Sequence, residues 1–449
     1  SEALGDKLSY SIGAVVQPGI GGLDRDKIVN PVTKQAGVRV EFFNEANENI
    51  FSDDRLITDI VWIGSDVPLP VTHRMTFSTI YTPDATEVRE LGFTGLQHTK
   101  MTVNGEELIN LKMAPLSGDP FEALMQPPHT SVPVQLTAGV PVEIVYDVDM
   151  TGRTGLFIGA FMFRFGFEEK GANADALIAE AVANAKDAEI AIVVVGTNSV
   201  VESEGYDRQD LKLPGRQDEL VEAVIAANPN TVVVVNSGSP VELPWASKVR
   251  AILLPYFGGQ EMGSALLEML TGVEEPGGRL PTTWAKVASD LPVINCTPDA
   301  NNEVEYSEGI HIGYKAWLKA GTKPLYAFGH GLGYTSWSLN GVSGSGSVAA
   351  GADYTFEVSV TNTGTRAGKH VVQAYLSRGN SAIERPVKWL AGFEQVRLAA
   401  GETKSVSITI SAREFANWDG AWNYESGQFQ LEVGSAVDNL SLTASVEVK

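Results

Sequence analysis

An apolar strand, an acidic loop and a helix follow one another between residues 189 and 227, and this segment constrains the fold more than any other. The strand reads EIAIVVV (189–195), the loop GTNSVVESEGYDRQDLKLPG (196–215) and the helix RQDELVEAVIAA (216–227). This order is typical of a parallel α/β sheet, in which ligands bind beyond the carboxyl ends of the strands. The loop is therefore predicted to lie where an α/β domain places its chemistry.

Charged side chains crowd this loop: Glu202, Glu204, Asp207, Arg208 and Asp210. Glu202 and Glu204 are two positions apart, so in an extended chain their side chains point the same way and each carboxylate raises the proton affinity of the other. Such a carboxyl group suits proton donation near neutral pH. The alternative is a solvated acidic loop, since most loop carboxylates are merely exposed.

Size and charge exclude several classes of protein. A chain of 449 residues is too long for one core and indicates three domains. Its net charge of −22 makes nucleic acid an unfavourable partner, because an acidic surface repels phosphate backbones. No apolar run approaches the roughly 18 residues of a membrane helix, so no membrane partner is expected.

Metal, nucleotide and serine-hydrolase chemistry also lack support. The chain has one cysteine, Cys296, and six histidines that show none of the spacings of a zinc site. No G-x-S-x-G turn, P-loop or dinucleotide-binding glycine pattern follows a strand. We therefore expect neither a metal nor an organic cofactor.

The periodicity of the chain changes twice along its length. A strand is predicted at residues 8–16, and alternating apolar residues between about 37 and 168 predict antiparallel strands, with a tight turn at Asn104-Gly105. Helical spacing returns at 175–188 and alternates with strands to about residue 270. Short alternating strands from residue 339 onward suit an immunoglobulin-like sandwich.

Four motifs carry a family resemblance: SEGYDR, LKLPGRQDELV, VVVVNSGSPVELPW and FGGQEMGSALLEMLTGVEEPGGRLPTTW. In this order and spacing they resemble the second domain of glycoside hydrolase family 3. The segment TFSTIYTPDATEVRELGFTGLQHTKMTVNGEEL is similar to the protective-antigen-type β-sandwich that some members insert into that domain. The C-terminal segment resembles the family's fibronectin type III-like third domain.

The resemblance implies a multidomain α/β plus all-β fold. It would have an α/β sandwich with a parallel-rich sheet at 1–35 and 169–335, an inserted β-sandwich at 36–168 and a fibronectin type III-like sandwich at 336–449. By the same comparison, the chain begins within the second domain, and the family's N-terminal (β/α)8 barrel is absent from it.

The resemblance also implies an activity. It assigns the general acid/base to Glu204, directly before Gly-Tyr-Asp-Arg, with Glu202 as the fallback. The family's nucleophile is an aspartate of the barrel, so a barrel-containing segment or chain is an expected partner. A second copy of this chain, in a homodimer, is another possible partner. The implied reaction is retaining exo-hydrolysis of terminal β-D-glucosyl residues from β-glucosides or short oligosaccharides. The alternatives are a related β-xylosidase or other β-glycosidase, and a non-catalytic carbohydrate-binding scaffold.

Further residues are candidates for contact with the sugar. Tyr206 could stack on a sugar face or pack under the loop, and Asp207 and Arg208 could bind the sugar or form a local ion pair that holds the loop. Phe121, on a Pro- and Gly-rich loop of the insert, is a substrate contact or an anchor for that loop. Trp62 and His73 lie near other loops and could serve similarly.

Overall fold

The computed structural model describes residues 7–15, 19–64, 66–169, 174–198, 201–203, 208–292 and 297–449. They belong to two compact units, described separately below. The first contains Ser1–Val193, Thr197–Gln209 and Pro214–Val232, and the second contains Val194–Gly196, Asp210–Leu213 and Val233–Lys449.

A β-sandwich makes up most of the first unit. Its strands are β1 Gly19–Ile20, β2 Ile28–Val29, β3 Val38–Phe43, β4 Asn49–Arg55, β5 Asp59–Ile63, β6 Arg74–Tyr81, β7 Glu87–Thr94, β8 Thr99–Val103, β9 Glu106–Leu111, β10 His129–Leu136, β11 Val142–Asp149 and β12 Ala160–Glu169. One sheet has the order β1-β12-β7-β10, with β5 also on β12, and the other has the order β4-β3-β6-β11-β8-β9, with β2 also on β6. This confirms the antiparallel strands expected from the alternating pattern.

Aromatic side chains fill the space between these two sheets. Phe163 is fully buried and its ring lies 4.9 Å from that of Phe77 and 5.6 Å from that of Tyr146. The Tyr146 hydroxyl donates a 2.8 Å hydrogen bond to the carbonyl of Gly92, so its one polar atom is satisfied inside the core. The predicted hairpin also forms, with φ of 50° at Asn104 and 81° at Gly105.

The two ends of the sandwich lie side by side. Gly19 pairs with Glu169 and Ile20 with Glu168 in an antiparallel ladder between β1 and β12. The first and last strands are therefore neighbours in one sheet, which is what insertion of a module into another domain requires.

The prediction of a strand at residues 8–16 is wrong for residues 8–15, which are the part of it that the structure describes. Residues 8–15 carry no strand, and the side chains of Leu8, Tyr10 and Ile12 are all at least half exposed. A β-strand needs a neighbour for its backbone N–H and C=O groups, and these residues pair with none of the described strands.

The α/β part consists of α2 Ala174–Lys186, β13 Ala191–Gly196, α3 Gln217–Ala227, β14 Thr231–Asn236, β15 Ala251–Leu253 and α4 Met262–Thr271, after the short α1 Pro120–Met125 in the insert. The three strands form a sheet in the order β13-β14-β15. Ala191 N donates to Asn230 O near the start of both strands, and Gly196 lies against Asn236 O at the end of both. β13 and β14 therefore run parallel, as the sequence predicted.

The second unit also contains α5 Tyr314–Ala320 and a C-terminal sandwich. The sandwich strands are β16 Trp337–Gly344, β17 Ser347–Val348, β18 Tyr354–Asn362, β19 Gly368–Ser377, β20 Trp389–Leu398, β21 Thr403–Ile410, β22 Ala416–Trp418, β23 Trp422–Tyr424, β24 Gly427–Ala436 and β25 Asn439–Val448. Two of its sheets, β16-β18-β21 and β17-β25-β24-β19-β20, enclose one apolar core, and β22 pairs with β23 in a separate two-stranded sheet. The immunoglobulin-like prediction and the multidomain fold class are confirmed.

Within the described residues, no helix is long and apolar enough to cross a membrane.

Candidate functional site

The loop after β13 leaves the sheet through Gly196. A Cβ atom on this residue would lie 1.9 Å from the carbonyl oxygen of Asn236, far inside van der Waals contact. Only glycine allows β13 and β14 to approach this closely at their carboxyl ends. Gly196 therefore fixes where the loop begins.

Glu202 is held by its own loop. Thr197 Oγ1 donates a hydrogen bond to Glu202 Oε2, and the backbone N–H of Glu202 donates to Asn198 O at 2.9 Å. The side chain is only 12% exposed. A carboxylate that is enclosed and already bound by its neighbours serves as an anchor for the loop.

Arg208 lies close to this carboxylate. Its Nη1 atom lies 3.8 Å from Glu202 Oε1, and its side chain is 13% exposed. The two residues are six positions apart, which in an extended chain would separate them by about 20 Å. Their contact depends on the turn of the loop, so no sequence pattern could have revealed it. The contribution of Thr197 was missed for the same reason.

Three of the predicted site residues lie outside the part of the chain that the structure describes: Glu204, Tyr206 and Asp207. The predicted ion pair between Asp207 and Arg208 and the predicted stacking of Tyr206 therefore stay predictions, as does the acid/base role of Glu204. What the structure brings together is the fallback residue, Glu202, with Arg208.

Hydrogen bonds of Arg216 connect the end of the loop to α3 and α2. Arg216 bonds the carboxylate of Glu219 through both Nε and Nη2, and its Nη1 lies 2.7 Å from Asp175 Oδ1 on α2. The hydrogen bonds to Arg216 lower the pKa of Glu219. Gln217 Nε2 also donates to Pro214 O at 2.9 Å. The loop therefore enters α3 in a defined direction.

Phe121 lies in the first turn of α1 in the insert. Asp119 caps this helix, because its Oδ1 accepts hydrogen bonds from the N–H groups of Phe121 and Glu122 at 2.8 and 2.9 Å. The Phe121 side chain is half-buried. No described contact joins its ring to Glu202 or Arg208, so its role as a substrate contact stays a prediction.

Trp62 is not a loop residue that could contact a substrate. It is 2% exposed within β5, and its ring lies 5.5 Å from Phe42 and 6.0 Å from Phe161. The alternation of β5 points this side chain between the sheets, so the sequence prediction is wrong and Trp62 belongs to the core. His73 is half-buried, with Nδ1 3.4 Å from Val71 O. Among the described residues, no three metal-binding side chains form a cluster.

Comparison with known proteins agrees with this architecture. Residues 66–334, more than half of the chain, match the glycosyl hydrolase family 3 C-terminal domain, and residues 370–437 match a fibronectin type III-like domain. The architecture and the family match thus define the class of protein, one that carries the C-terminal α/β domain of a glycosyl hydrolase. The chain belongs to glycosyl hydrolase family 3 and carries its C-terminal domain.

The relatives are named as β-glucosidases. The chain is 38% identical over 314 residues to a β-glucosidase of Rhizobium radiobacter, covering 68% of this chain and 38% of that protein. It is 34% identical to β-glucosidase B of Emericella nidulans, covering 94% of this chain and 52% of that protein. The structure of the Kluyveromyces marxianus β-glucosidase in complex with glucose superimposes with a TM-score of 0.87 at 28% identity, covering all of this chain and 55% of that one. The chain therefore spans about half or less of the length of these relatives.

Proposed function

We propose that this chain carries the general acid/base of a retaining exo-β-glucosidase and that Glu204 is that residue. A partner carboxylate, an aspartate from a barrel-containing segment or chain, would act as the nucleophile. The substrate would be a terminal, non-reducing β-D-glucosyl residue of a β-glucoside or short oligosaccharide. This proposal rests on the family, on relatives named as β-glucosidases and on the environment of Glu202.

The observation that carries the choice of Glu204 is the engagement of Glu202. Glu202 is enclosed, accepts a hydrogen bond from Thr197 and faces Arg208. An acid/base group must be able to reach the glycosidic oxygen and then a water molecule, and the carboxyl group of Glu202 is already engaged within its own loop. Glu204 is the remaining glutamate of the motif, directly before Gly-Tyr-Asp-Arg.

The reaction would proceed by double displacement. In the first step, the partner aspartate attacks the anomeric carbon while the Glu204 carboxyl group protonates the departing glycosidic oxygen. In the second step, the Glu204 carboxylate removes a proton from water, whose oxygen attacks the anomeric carbon and releases the aspartate. Both carboxyl groups must lie about 5 Å apart across the sugar.

The other loop residues would support this chemistry. Arg208, by pairing with Glu202, would hold the loop and thereby position Glu204, while Tyr206, Asp207 and Phe121 would contact the sugar or its leaving group. In the proposed division, the loop belongs to the α/β sandwich domain, predicted at 1–35 and 169–335, and the C-terminal domain lies at 336–449. The insert, predicted at 36–168, also takes in β1 and β2, which pair with β12 and β6 of its two sheets.

Substitution of Glu204 tests the proposal in an assembly that includes the barrel-containing polypeptide. Glu204→Ala should lower kcat/KM about 10²–10⁴-fold on alkyl β-glucosides, which need protonation of the leaving group. The loss should be much smaller on 2,4-dinitrophenyl β-glucoside, and azide should restore turnover of that substrate as glucosyl azide, because azide needs no general base.

Glu202→Gln is the matched control, since it removes the neighbouring carboxylate of the same loop. In this variant, azide should not restore turnover. Any loss of kcat/KM should be the same for substrates with good and with poor leaving groups. If Glu202→Gln gave the azide rescue and Glu204→Ala did not, the assignment would be reversed. Unchanged sugar binding with no turnover in the wild-type assembly would favour the scaffold alternative.

Substrate and partner are tested in the same assembly. The 449-residue chain alone should have little or no activity, and addition of the barrel-containing polypeptide should restore it. Comparison of aryl β-glucoside with aryl β-xyloside gives the preferred sugar, and light scattering tests for a homodimer. Full activity of the chain by itself would contradict the shared active site.

A further inference from the structure

A hairpin of the C-terminal sandwich, formed by β22 and β23, displays two tryptophans at the surface. Trp418 stands directly opposite Trp422 in this two-stranded sheet, which is separate from the two larger sheets of the sandwich. The two residues are 62% and 42% exposed. A lone exposed aromatic residue needs no explanation, but two adjacent ones form a patch that indicates an interaction site. Residues 416–424 are called the tryptophan hairpin below.

The two rings of the tryptophan hairpin are held in place by contacts with each other and with an arginine. Their centroids lie 5.2 Å apart with an angle of 68° between the ring planes, the T-shaped arrangement that aromatic pairs favour. The guanidinium of Arg413 lies over the Trp422 ring, 5.1 Å from its centroid. Trp422 is therefore held by two neighbours, while Trp418 is the more exposed ring and keeps more of its surface open to solvent.

The backbone of the tryptophan hairpin is fixed at its base and at its tip. Phe415, directly before β22, is 1% exposed, and its ring lies 5.2 Å from that of Phe429 in the core. At the tip, the N–H of Asp419 donates to Ala421 O at 3.0 Å, and Gly420 has a φ of 71°, which favours glycine. The tryptophans are therefore presented on a preorganised support, which lowers the entropic cost of binding.

An exposed acceptor and an exposed donor lie beside the two rings. Asp419 follows Trp418 in the chain, and its carboxylate makes no hydrogen bond or ion pair with any residue that the structure describes. The guanidinium of Arg413 contacts the Trp422 ring but likewise donates to no described side chain or carbonyl. The carboxylate accepts hydrogen bonds and the guanidinium donates them, and their charges are opposite. This combination suits an uncharged ligand that carries hydroxyl groups.

The size and charge of the patch argue against a protein partner and against a membrane. The exposed fractions of the two tryptophans together correspond to about one whole side chain, or roughly 150–250 Å². A stable interface between two proteins, including two copies of this chain, buries about 800 Å² on each partner. An anionic lipid surface repels a chain whose net charge is −22. A small, flat and neutral ligand fits the patch better than either of these.

We propose that the tryptophan hairpin binds a neutral β-linked glucan chain, through residues that are not part of the loop after β13. A β-glucopyranosyl ring carries C–H groups on its two faces and hydroxyl groups around its rim. The Trp418 ring covers one face of such a ring, while Asp419 and Arg413 accept from and donate to hydroxyl groups at the rim.

This binding would retain the protein on a polymer whose non-reducing ends are the substrate of the proposed enzyme. The choice of glucose among neutral sugars rests on the proposed function. The choice of a neutral sugar rests on the hairpin itself, on its exposed rings and on the polar groups beside them.

Calorimetric titration of the 449-residue chain with cellohexaose tests the proposal. The wild-type chain should bind cellohexaose saturably. Trp418→Ala should weaken the binding at least about 10-fold, because a central tryptophan commonly contributes most to the affinity of a site. Trp418→Phe should weaken it less, since it keeps a smaller aromatic face. Phe393→Ala is the matched control and should leave the affinity unchanged: Phe393 is 65% exposed on β20 of the same sandwich, but its ring contacts no other aromatic ring of the described residues.

Several results would overturn the proposal. One is the absence of saturable binding at millimolar cellohexaose, and another is an equal loss of affinity in Trp418→Ala and Phe393→Ala. Loss of binding in Glu204→Ala, with none in Trp418→Ala, would place the sugar at the loop after β13 instead. Because the titration measures no turnover, failure of the proposed acid/base role of Glu204 would leave the expected result for the hairpin unchanged.

Other occupants of the patch are tested with the same variants. A wild-type dimer in light scattering that Trp418→Ala converts to a monomer would show that a second copy covers the hairpin. Binding to phosphatidylcholine vesicles that Trp418→Ala abolishes would show a lipid surface. Loss of cellohexaose binding in the assembly with the barrel-containing polypeptide would show that this polypeptide covers the patch. Each of these results would also overturn the proposal. Thermal unfolding of each variant checks that it is folded, which the exposure of both side chains leads us to expect.

Discussion

Arg208 Nη1 lies 3.8 Å from Glu202 Oε1, and both side chains are almost fully enclosed. The pair closes the loop between β13 and α3 across six positions of sequence. The pair should stabilise the folded state because both side chains are enclosed, since an exposed pair at this distance would contribute little to the free energy of unfolding. Glu202 thus acts as a structural residue of a loop in which the adjacent glutamate of the motif is the proposed acid.

Removal of one member of this pair should be more damaging than removal of both. Arg208→Met leaves the enclosed Glu202 carboxylate without its cation and should lower the free energy of unfolding by about 3 kcal/mol. In the double variant Arg208→Met/Glu202→Gln, about half of that loss should return, because no buried charge is left alone. Urea unfolding of the four members of this cycle measures the coupling. Strictly additive losses would show that the two side chains do not interact.

Of the adjacent residues Glu274 and Glu275, Glu275 should contribute more to the free energy of unfolding. It is 5% exposed, and its carboxylate accepts hydrogen bonds from the N–H groups of Tyr334, at 2.9 Å, and of Lys369. Glu275→Gln should cost about 1–3 kcal/mol, because an amide replaces one acceptor oxygen by a donor. Glu274→Gln is the control: Glu274 is 38% exposed and pairs with Lys369 and Arg397 at the surface, so this substitution should change the free energy of unfolding little. Equal losses in urea unfolding would contradict this contrast.

Gly196→Ala should disturb the sheet and the loop together. Its new methyl group would lie 1.9 Å from Asn236 O, which forces β13 and β14 apart and should cost about 1–3 kcal/mol. Gly263→Ala, in α4 with nothing within 4 Å of the added atom, should instead be neutral or stabilise by up to about 1 kcal/mol. Thermal unfolding compares the two variants, and a stable Gly196→Ala protein would mean that the strands can separate freely.

Acid should destabilise the second unit through His370. Burial lowers the pKa of this histidine to about 4, and the charge of Arg279 adds to the effect. The folded pKa lies below the ordinary 6.5, so the unfolded chain binds the proton first as the pH falls. Stability is therefore unaffected above about pH 6.5 and declines between about pH 6.5 and 4, by up to about 3 kcal/mol.

His370→Phe should flatten this decline. Phenylalanine keeps the stacking on Trp337, whose ring lies 5.0 Å from that of His370, but takes up no proton. Urea unfolding of both proteins at a series of pH values gives the two profiles. Parallel profiles between pH 7 and 4 would mean that other groups cause the acid sensitivity.

Local sequence patterns predicted most of the strands and helices. The alternation of residues such as those of β6 and β18 specified strands because one face of each is buried, and Asn104-Gly105 specified a hairpin because both residues tolerate positive φ. α5 lies between residues 270 and 339, where the sequence analysis predicted no helix, because its seven residues are too few to show a clear helical period.

Features that depend on a distant partner could not be predicted. Residues 8–16 alternate like a strand, but a strand exists only when another backbone pairs with it. The contact between Glu202 and Arg208, and the enclosure of Trp62, likewise depend on how loops and sheets come together in space. The family motif indicated the loop and its candidate acid, whereas the roles of its individual side chains required coordinates.

The pairing of β1 with β12 has a consequence for how this architecture can arise. Gly19 and Glu169 stand opposite each other, so the chain enters and leaves the insert at points one strand spacing apart, about 4.8 Å. A turn of the host domain can therefore acquire the whole module, or lose it, without displacement of either flank. The insert can therefore be exchanged between homologues in a single evolutionary event, and the fold of the host domain need not change to accommodate it.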